Sequence, residues 1–470
     1  MASVVGWILA AVVLSWWPLT DRLDLPKQLL LASGASVALL VAVIRGRHRA
    51  DPVLAGLGGL FLLGVIVLPG EVGARIEGSL GWLAALGLGW RVHRAPEGAR
   101  GERVLAISGA VVGALALLQA AGLPWLAGTR PVSGTLGGPG HLGWTLAALL
   151  PLSATVPGRA GLSSAALIAA GVVVSGSRTA WVMVALALPL WAATAPGRGR
   201  LRAALLLGLL LGVGIDAATG RAGLPGRIAD VVDADGTARG RTYLWRLALH
   251  RPGLWLGAGA GPEAFQRRFP AWQGGFLEEH PELERFRSDL RHAHIDVVEL
   301  GTDFGLIGIV LVGFASLRAV AVGPARDPAL AVLVSVAVGG LASPVLASAP
   351  TLGLAAWAVG VRAPGRPTVA LGVLPLLAAL WIGQGLAARR LASELARSEA
   401  TWARITGHPD VGSPRAEQAA RLDPRNPRAW IELALCCRAL ADEGCVQQAL
   451  PRAARDLPTD GVIGAMGAGR

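Results

Sequence analysis

Long apolar runs separated by short polar segments make up most of the chain, and one long polar stretch at 216–293 interrupts them. A helix that crosses a bilayer contains about 20 predominantly apolar residues. We predict thirteen spans, at 3–19, 28–44, 52–69, 73–90, 104–122, 141–156, 160–175, 179–195, 201–215, 294–317, 328–342, 349–361 and 368–386. The pattern therefore predicts four parts: helices in 1–215, a loop at 216–293, helices in 294–386 and a tail at 387–470.

The composition agrees with an all-α, polytopic helical membrane protein with about 12–13 transmembrane helices. Hydrophobic residues make up 53% of the 470 residues, charged residues make up 16%, and the mean hydropathy is +0.53. A soluble domain usually has about 25% charged residues. The formal net charge of +12 comes mainly from arginines in short loops, so it indicates membrane topology and not a surface for nucleic acid.

The arginines predict the orientation of the spans. With a cytoplasmic amino terminus, fifteen basic residues lie in cytoplasmic loops and five in the opposite short loops. Those five are Arg22, Lys27, Arg75, Arg130 and Arg178. This difference follows the positive-inside rule. It places the loop at 216–293 on the outer face and, with thirteen spans, the tail as well.

The outer loop has eleven arginines and ten carboxylates, so its charges nearly cancel and we expect it to be folded. Its segment 241–251 has Leu244, Leu247 and Ala248 at helical spacing, with Arg246 and His250 on the opposite face. We predict an amphipathic helix here, lying at the membrane surface.

The tail contains a weak internal repeat. The sequence ARLDP at 420–424 resembles ARDLP at 454–458, and the two prolines are 34 residues apart. This is the period of tetratricopeptide repeats, so we predict a small helical-repeat tail; the alternative is a generic helical hairpin. A single repeat would pack on the loop, on an envelope protein partner or on a second copy.

Three motifs occur in a fixed order in the second half of the chain. They are SGSRTAW at 175–181; RGRTYLW at 239–245, followed by Pro252 and GAGAGPEAF at 257–265; and HIDVVELGTDFGLIG at 294–308. Together they resemble the O-antigen ligase and polymerase superfamily, in which an outer loop ends in a His-Asn-acid segment. Here Ile295 replaces the usual asparagine, and Asp303 stands where glutamate is common.

The resemblance implies an integral-membrane glycosyltransferase of the bacterial inner membrane. Such an enzyme moves a glycan from an undecaprenyl-diphosphate-linked donor to a hydroxyl of a glycan, lipid or protein acceptor, on the outer face. The attacking hydroxyl must lose a proton, which suits histidine near neutral pH. Negative charge develops on the leaving diphosphate, which suits arginine, so we expect no metal and no cofactor.

The resemblance assigns the base to His294, with His292 and Asp296 as further candidate catalytic residues. The candidate diphosphate ligands are Arg178, Arg241 and Arg239, and Trp245 and Asp303 are secondary site residues. For each of these residues a structural role is the alternative; for Arg178 it is snorkelling of the side chain to the membrane interface. We assign His141, on an outer loop, a structural role, and we expect Gly257, Gly259 and Gly261 to form a turn.

Helical spacing leaves the choice between the histidines open. His292, Asp296, Glu299 and Asp303 share one face if a helix already runs at 292, and His294 then points away. If the helix starts near 295, the spacing applies to neither histidine.

Other functions remain as alternatives. A polysaccharide polymerase or a protein O-oligosaccharyltransferase would use the same donor, so the motifs do not separate them from a ligase. A lipid or polysaccharide flippase would usually place paired ionisable residues in mid-membrane or show inverted repeats. A scaffold would recruit envelope enzymes through the tail.

Overall fold

The protein is described by a computed structural model. It describes residues 2–15, 24–44, 49–50, 75–76, 78–91, 98–123, 132–136, 138–194, 198–220, 223, 226, 234–256, 259–262, 264–286, 294–322, 327–362, 366–367 and 373–456. Within these ranges the chain is all-α, as predicted, apart from one minimal pair of strands and three short 3₁₀ turns. The strands β1 (Arg49–Ala50) and β2 (Arg366–Pro367) pair antiparallel.

The described helices are numbered in chain order. Before the long loop lie α1 (Ala2–Leu14), α2 (Asp24–Ile44), α3 (Leu80–Arg91), α4 (Gly98–Ala120), α5 (Pro139–Leu149), α6 (Gly158–Val174), α7 (Arg178–Thr194) and α8 (Arg198–Thr219). The loop contains α9 (Ala234–Leu249), α10 (Pro252–Leu256) and α11 (Ala264–Glu279). After it come α12 (Asp296–Val322), α13 (Pro328–Gly340), α14 (Ala349–Arg362), α15 (Val373–Ile405), α16 (Pro409–Leu422), α17 (Pro427–Ala439) and α18 (Glu443–Asp456).

The predicted spans correspond to helices wherever the chain is described, and the span at 52–69 lies outside the described residues. Three of the described helical segments, Arg100–Ala120, Arg202–Thr219 and Asp296–Val322, are long and apolar enough to cross a membrane, and six shorter apolar helices accompany them. The predicted break between the spans at 328–342 and 349–361 is present, because a turn that includes Ser343, Pro344 and a short 3₁₀ helix separates α13 from α14. The chain is a polytopic helical membrane protein.

The membrane helices share one apolar core, and small residues let their backbones approach closely. Gly113 of α4 faces α6, where a methyl group on it would overlap the carbonyl of Leu167. Gly171 of α6 packs in turn on the Cα of Gly113. Association of helices in lipid depends on such packing, because lipid tails are as apolar as the side chains they replace.

A buried arginine ties three helices together at the predicted cytoplasmic end. The Arg362 guanidinium donates to the carbonyls of Ala319 at 2.7 Å and Val320 at 3.2 Å, near the end of α12. It also lies 3.5 Å from the carboxylate of Asp327, which caps the start of α13 by accepting from Ala329 N. The charge therefore satisfies carbonyls that a helix end leaves without partners.

The long loop forms a small domain with its own apolar core. Tyr243, Leu244, Leu247 and Ala248 of α9 are buried there with aromatic residues of α11. The predicted helix is therefore present, but its apolar face packs on protein. The expectation that this face contacts the membrane surface is wrong, because the aromatic side chains of α11 already cover it.

The tail packs on the far half of one long helix. Helix α15 has 33 residues and continues without a break past 386; α16 and α17 pack on its second half, and α18 packs on α17. A disulfide joins Cys437 to Cys445, and Cys436 is a buried free cysteine. Pro458, the second proline of the predicted repeat, lies outside the described residues, so the tetratricopeptide assignment stays a prediction.

Candidate functional site

The histidine segment is a bend immediately before α12. His294 has a φ of 59°, in the left-handed region, and its side chain is half-buried. Helix α12 starts at Asp296, so the helical spacing of the acidic residues does not extend back to either histidine. His292 lies outside the described residues, and its role stays a prediction. A residue other than glycine at positive φ is uncommon and occurs preferentially at functional sites.

The carboxylate of Asp296 anchors the start of α12 to the turn at 340–346. Leu346 N donates to its two oxygens at 3.0 and 3.1 Å. The same carboxylate lies against Gly340, where a methyl group would come within 2.5 Å of Oδ2. Asp296 is only 5% exposed. This geometry suits a residue that fixes the position of His294, and a direct catalytic role for Asp296 stays a prediction.

The turn at 340–346 also contacts the Ser-Arg motif. The hydroxyls of Thr179 and Ser343 lie 2.7 Å apart, and both side chains are buried. Thr179 directly follows Arg178, and Asp296 lies two residues after His294. The turn therefore brings the Ser-Arg motif and the histidine segment together. In the sequence this turn is visible only as a break between two spans, and the Ser343–Pro344 pair is its signal.

The serines of the Ser-Arg motif shape the turn that starts α7. Ser175 Oγ donates to Val172 O at 2.6 Å and accepts from Ser177 N at 3.2 Å. Ser177 Oγ accepts from Ala180 N at 3.4 Å, as a capping residue does. Gly176 supplies a φ of 63° between them. The serines are thus explained by local structure, and half-buried Arg178 is left as the residue whose chemistry suits a diphosphate.

The glycine motif of the loop packs against a break in α12. Gly305 is non-helical, with φ 63° and ψ −166°, so the helical hydrogen-bond ladder is interrupted there. Ala260 N donates to Thr302 O at 2.8 Å, and Gly261 N donates to Asp303 O at 3.0 Å. These donors satisfy carbonyls next to the break. The expected turn is present in the described part of the motif; Gly257 lies outside it.

Asp303 connects the same region to the start of α11. Its Oδ1 accepts from Phe265 N at 3.4 Å, and the side chain is buried. A carboxylate at a helix amino terminus is favourable because the first N–H groups there lack partners within the helix. Asp303 therefore holds the outer domain on α12.

The loop residues of the predicted site lie on α9. Trp245 is partly buried and packs on the core of the outer domain. Arg239 and Arg241 belong to the same helix, but their side chains lie outside the described part of the structure. Their role as diphosphate ligands stays a prediction. Among the described residues, no group of three or more His, Cys, Asp or Glu could hold a metal ion.

Comparison with known proteins agrees with the predicted resemblance. The model of the O-antigen ligase family matches residues 163–313. That range starts in α6, includes Arg178 and the outer domain, and ends within α12. No curated protein matches the chain. Residues 163–313, which contain all three motifs, are therefore similar to the O-antigen ligase family, in agreement with the predicted resemblance.

Proposed function

We propose that the chain is an integral-membrane glycosyltransferase of the bacterial inner membrane. It transfers a glycan from an undecaprenyl-diphosphate-linked donor to an acceptor hydroxyl on the outer face, as an O-antigen ligase does. The observation that carries the proposal is the shared turn at 340–346. Through Asp296 and Thr179, this turn holds the segment of His294 close to that of Arg178.

In this mechanism His294 is the general base. The acceptor oxygen attacks the anomeric carbon of the donor sugar and loses its proton to the imidazole. The bond from that carbon to the lipid diphosphate breaks, and the diphosphate leaves with the bonding electrons. Arg178 stabilises the negative charge that develops there, and we assign Arg241 and Arg239 to the same anion. Arginines can supply this stabilisation without a metal ion.

The tail supports the proposed orientation. Disulfides persist in oxidising compartments such as the periplasm and are rare in the cytosol. The bond between Cys437 and Cys445 therefore favours a tail on the outer face. This side agrees with the arginine distribution between the spans, which is an independent observation. An envelope protein that binds the tail would then be periplasmic.

The test is the substitution His294→Ala in a strain that lacks the chromosomal copy. We expect loss of glycan transfer, with the protein still inserted at its normal level. His408→Ala is the matched control, because His408 is an exposed histidine of the tail. Normal transfer by His294→Ala would exclude this histidine as the base, and His292→Ala would then be measured in the same assay.

The glycan profile of the deletion strain separates the related activities. Accumulated lipid-linked polymer without attachment identifies a ligase, and short units without long chains identify a polymerase. Loss of glycan from proteins alone identifies a protein O-oligosaccharyltransferase. A flippase would move lipid-linked substrate across liposome membranes and would show no transfer with purified donor and acceptor.

A further inference from the structure

The indole N–H of Trp144 on α5 is a buried donor that has no acceptor among the described residues. Trp144 is 7% exposed, and no acceptor among the described residues lies within hydrogen-bond distance of its Nε1. A buried N–H that has lost its water and gained no partner costs free energy. Such a donor in a folded protein indicates a role for the group, and a bound ligand is one partner that would satisfy it.

The ring of Trp144 lies over the first turn of its own helix. Side chains in a helix lean toward its amino terminus, which brings this ring back over Gly140. A methyl group on Gly140 would lie 3.0 Å from Cζ2 and 3.4 Å from Cε2, the ring carbon that carries Nε1. The ring of His141 is 5.3 Å from that of Trp144, between centroids. The N–H is therefore placed at the amino end of α5.

Among the described residues, no side chain covers that end of the helix at Gly138. Gly138, at the N-cap position, is extended and has no side chain to cap the first turn. A methyl group on Gly138 would meet no atom within 4 Å. The amino end of a helix carries a partial positive charge and N–H groups that lack helical partners, which together favour an anion.

The same end lies beside the Ser-Arg motif. A methyl group on Gly143 of α5 would lie 2.6 Å from Ser177 Cβ and 2.8 Å from Ala180 Cβ. Helix α5 therefore contacts the first turn of α7, where Arg178 is located. The first turns of two helices, one with the Trp144 ring over it and the other with Arg178 in it, are thus in contact on the predicted outer side. Their chemistry fits a phosphorylated group better than a neutral sugar.

We propose that Trp144 donates its indole N–H to a diphosphate oxygen of the lipid-linked donor. This inference rests on the proposed function and adds a binding residue that lies before the segment 163–313 matched by the family model. It also gives the amino end of α5, with Gly138 and Gly140, a role in substrate binding. His141, for which a structural role was predicted, forms part of the wall of this site.

The experiment compares Trp144→Phe with the wild type, using the full chain in detergent and undecaprenyl diphosphate as the probe. Phenylalanine keeps an aromatic ring and removes the donor. We expect the dissociation constant to rise roughly tenfold, since a hydrogen bond to a charged group is lost, with no change in thermal unfolding. Trp381→Phe is the control, because Trp381 is 65% exposed on α15. Binding within about twofold of wild type by Trp144→Phe would overturn the inference.

A second variant and a second probe cover the remaining outcomes. Gly140→Ala places a methyl group against the Trp144 ring, so it should weaken binding of undecaprenyl diphosphate while retaining the indole. Undecaprenol lacks the diphosphate, so both variants and the wild type should bind it equally. If Trp144→Phe loses as much affinity for undecaprenol as for undecaprenyl diphosphate, Trp144 acts by packing alone, and the inference is overturned.

The two proposals fail in different ways. If wild type neither binds undecaprenyl diphosphate nor transfers glycan, the proposed function fails and this inference fails with it. If wild type binds the probe, His294→Ala abolishes transfer and Trp144→Phe binds normally, only the inference about Trp144 is overturned.

Discussion

Gly259 lies with its backbone against the peptide group that joins Asp303 to Phe304. A methyl group on Gly259 would come within 2.5 Å of Phe304 N, and still closer to the Asp303 carbonyl. The contact is between two backbones, so neither side can relieve an overlap by changing a rotamer. It joins the outer domain to α12 just before the break at Gly305.

Substitution of Gly259 should therefore detach the outer domain. Alanine at its φ of 78° costs about 1–2 kcal/mol, and the backbone overlap adds to that cost. We expect Gly259→Ala to lose glycan transfer and to expose the segment 234–286 to limited proteolysis. Gly253→Ala is the control, because a methyl group at Gly253 meets nothing within 4 Å. Wild-type protease resistance in Gly259→Ala would show that this contact does not hold the domain.

Two substitutions of Asp296 separate a role in positioning His294 from a direct catalytic role. Asparagine keeps an oxygen that accepts from Leu346 N, whereas alanine leaves that buried N–H without its acceptor, at a cost of about 1–3 kcal/mol. If Asp296 positions His294, Asp296→Asn should retain most of the turnover and Asp296→Ala should lose both turnover and thermal stability. An Asp296→Asn variant of normal stability that is as inactive as His294→Ala would instead assign Asp296 a chemical role.

The three cysteines of the tail should react with maleimide under different conditions. Burial, reinforced by Glu432, raises the pKa of the Cys436 thiol from 9.0 to about 11, and thiolate is the reactive form. Native protein at pH 8 should therefore take up almost no maleimide. Denatured protein should label at Cys436 alone, and denatured, reduced protein at Cys437 and Cys445 as well. Labelling of all three after denaturation without reductant would contradict the disulfide.

The raised pKa also gives a dependence of stability on pH. The folded tail keeps the Cys436 proton up to a higher pH than the unfolded chain does. Stability from this group is therefore fully present below about pH 9 and is lost as pH rises toward 11. Cys436→Ala should remove that part of the decline, which thermal unfolding at pH 8 and pH 10 would measure.

Two ion pairs of the tail should differ in their effect on stability. Arg404 Nε donates to Glu432 at 2.6 Å; Glu432 is mostly buried, and the hydrogen bond raises the pKa of Arg404. Arg415 pairs with Glu399 at 3.1 Å, where both side chains are more than half exposed. Arg404→Met should cost about 1–3 kcal/mol. Arg415→Met should cost less than about 1 kcal/mol. Equal shifts in the unfolding temperature would contradict this difference.

Hydropathy predicted the architecture because each span is a local property of the chain. The apolar runs gave the membrane helices, and the near-balance of charges at 216–293 indicated a folded loop. The three motifs predicted the resemblance to the family whose model matches residues 163–313. The membrane contact expected of the segment 241–251 was wrong, since an apolar face looks the same in sequence whether lipid or protein covers it. The aromatic partners of α11 decide that question.

The site was less predictable because its contacts are long-range. Asp296 bonds to a backbone N–H 50 residues later, and Gly259 meets the peptide after Asp303. Neither partner has a local signature. The break at Gly305 occurs inside a continuous apolar run, so the hydrophobic pattern alone predicts one straight helix. The positive φ of His294 is likewise set by its surroundings, since only a few per cent of non-glycine residues adopt that region.

In the proposed orientation, helix α15 would set the distance between the tail and the bilayer. Its 33 residues form one rod, and the part after 386 extends about 28 Å at 1.5 Å per residue. Helices α16 and α17 pack directly on that rod and α18 packs on α17, so the tail continues from α15 without a linker. An envelope protein bound there would be held at a set distance from the membrane surface. Inserting residues into α15 would change both that distance and the direction in which the tail faces.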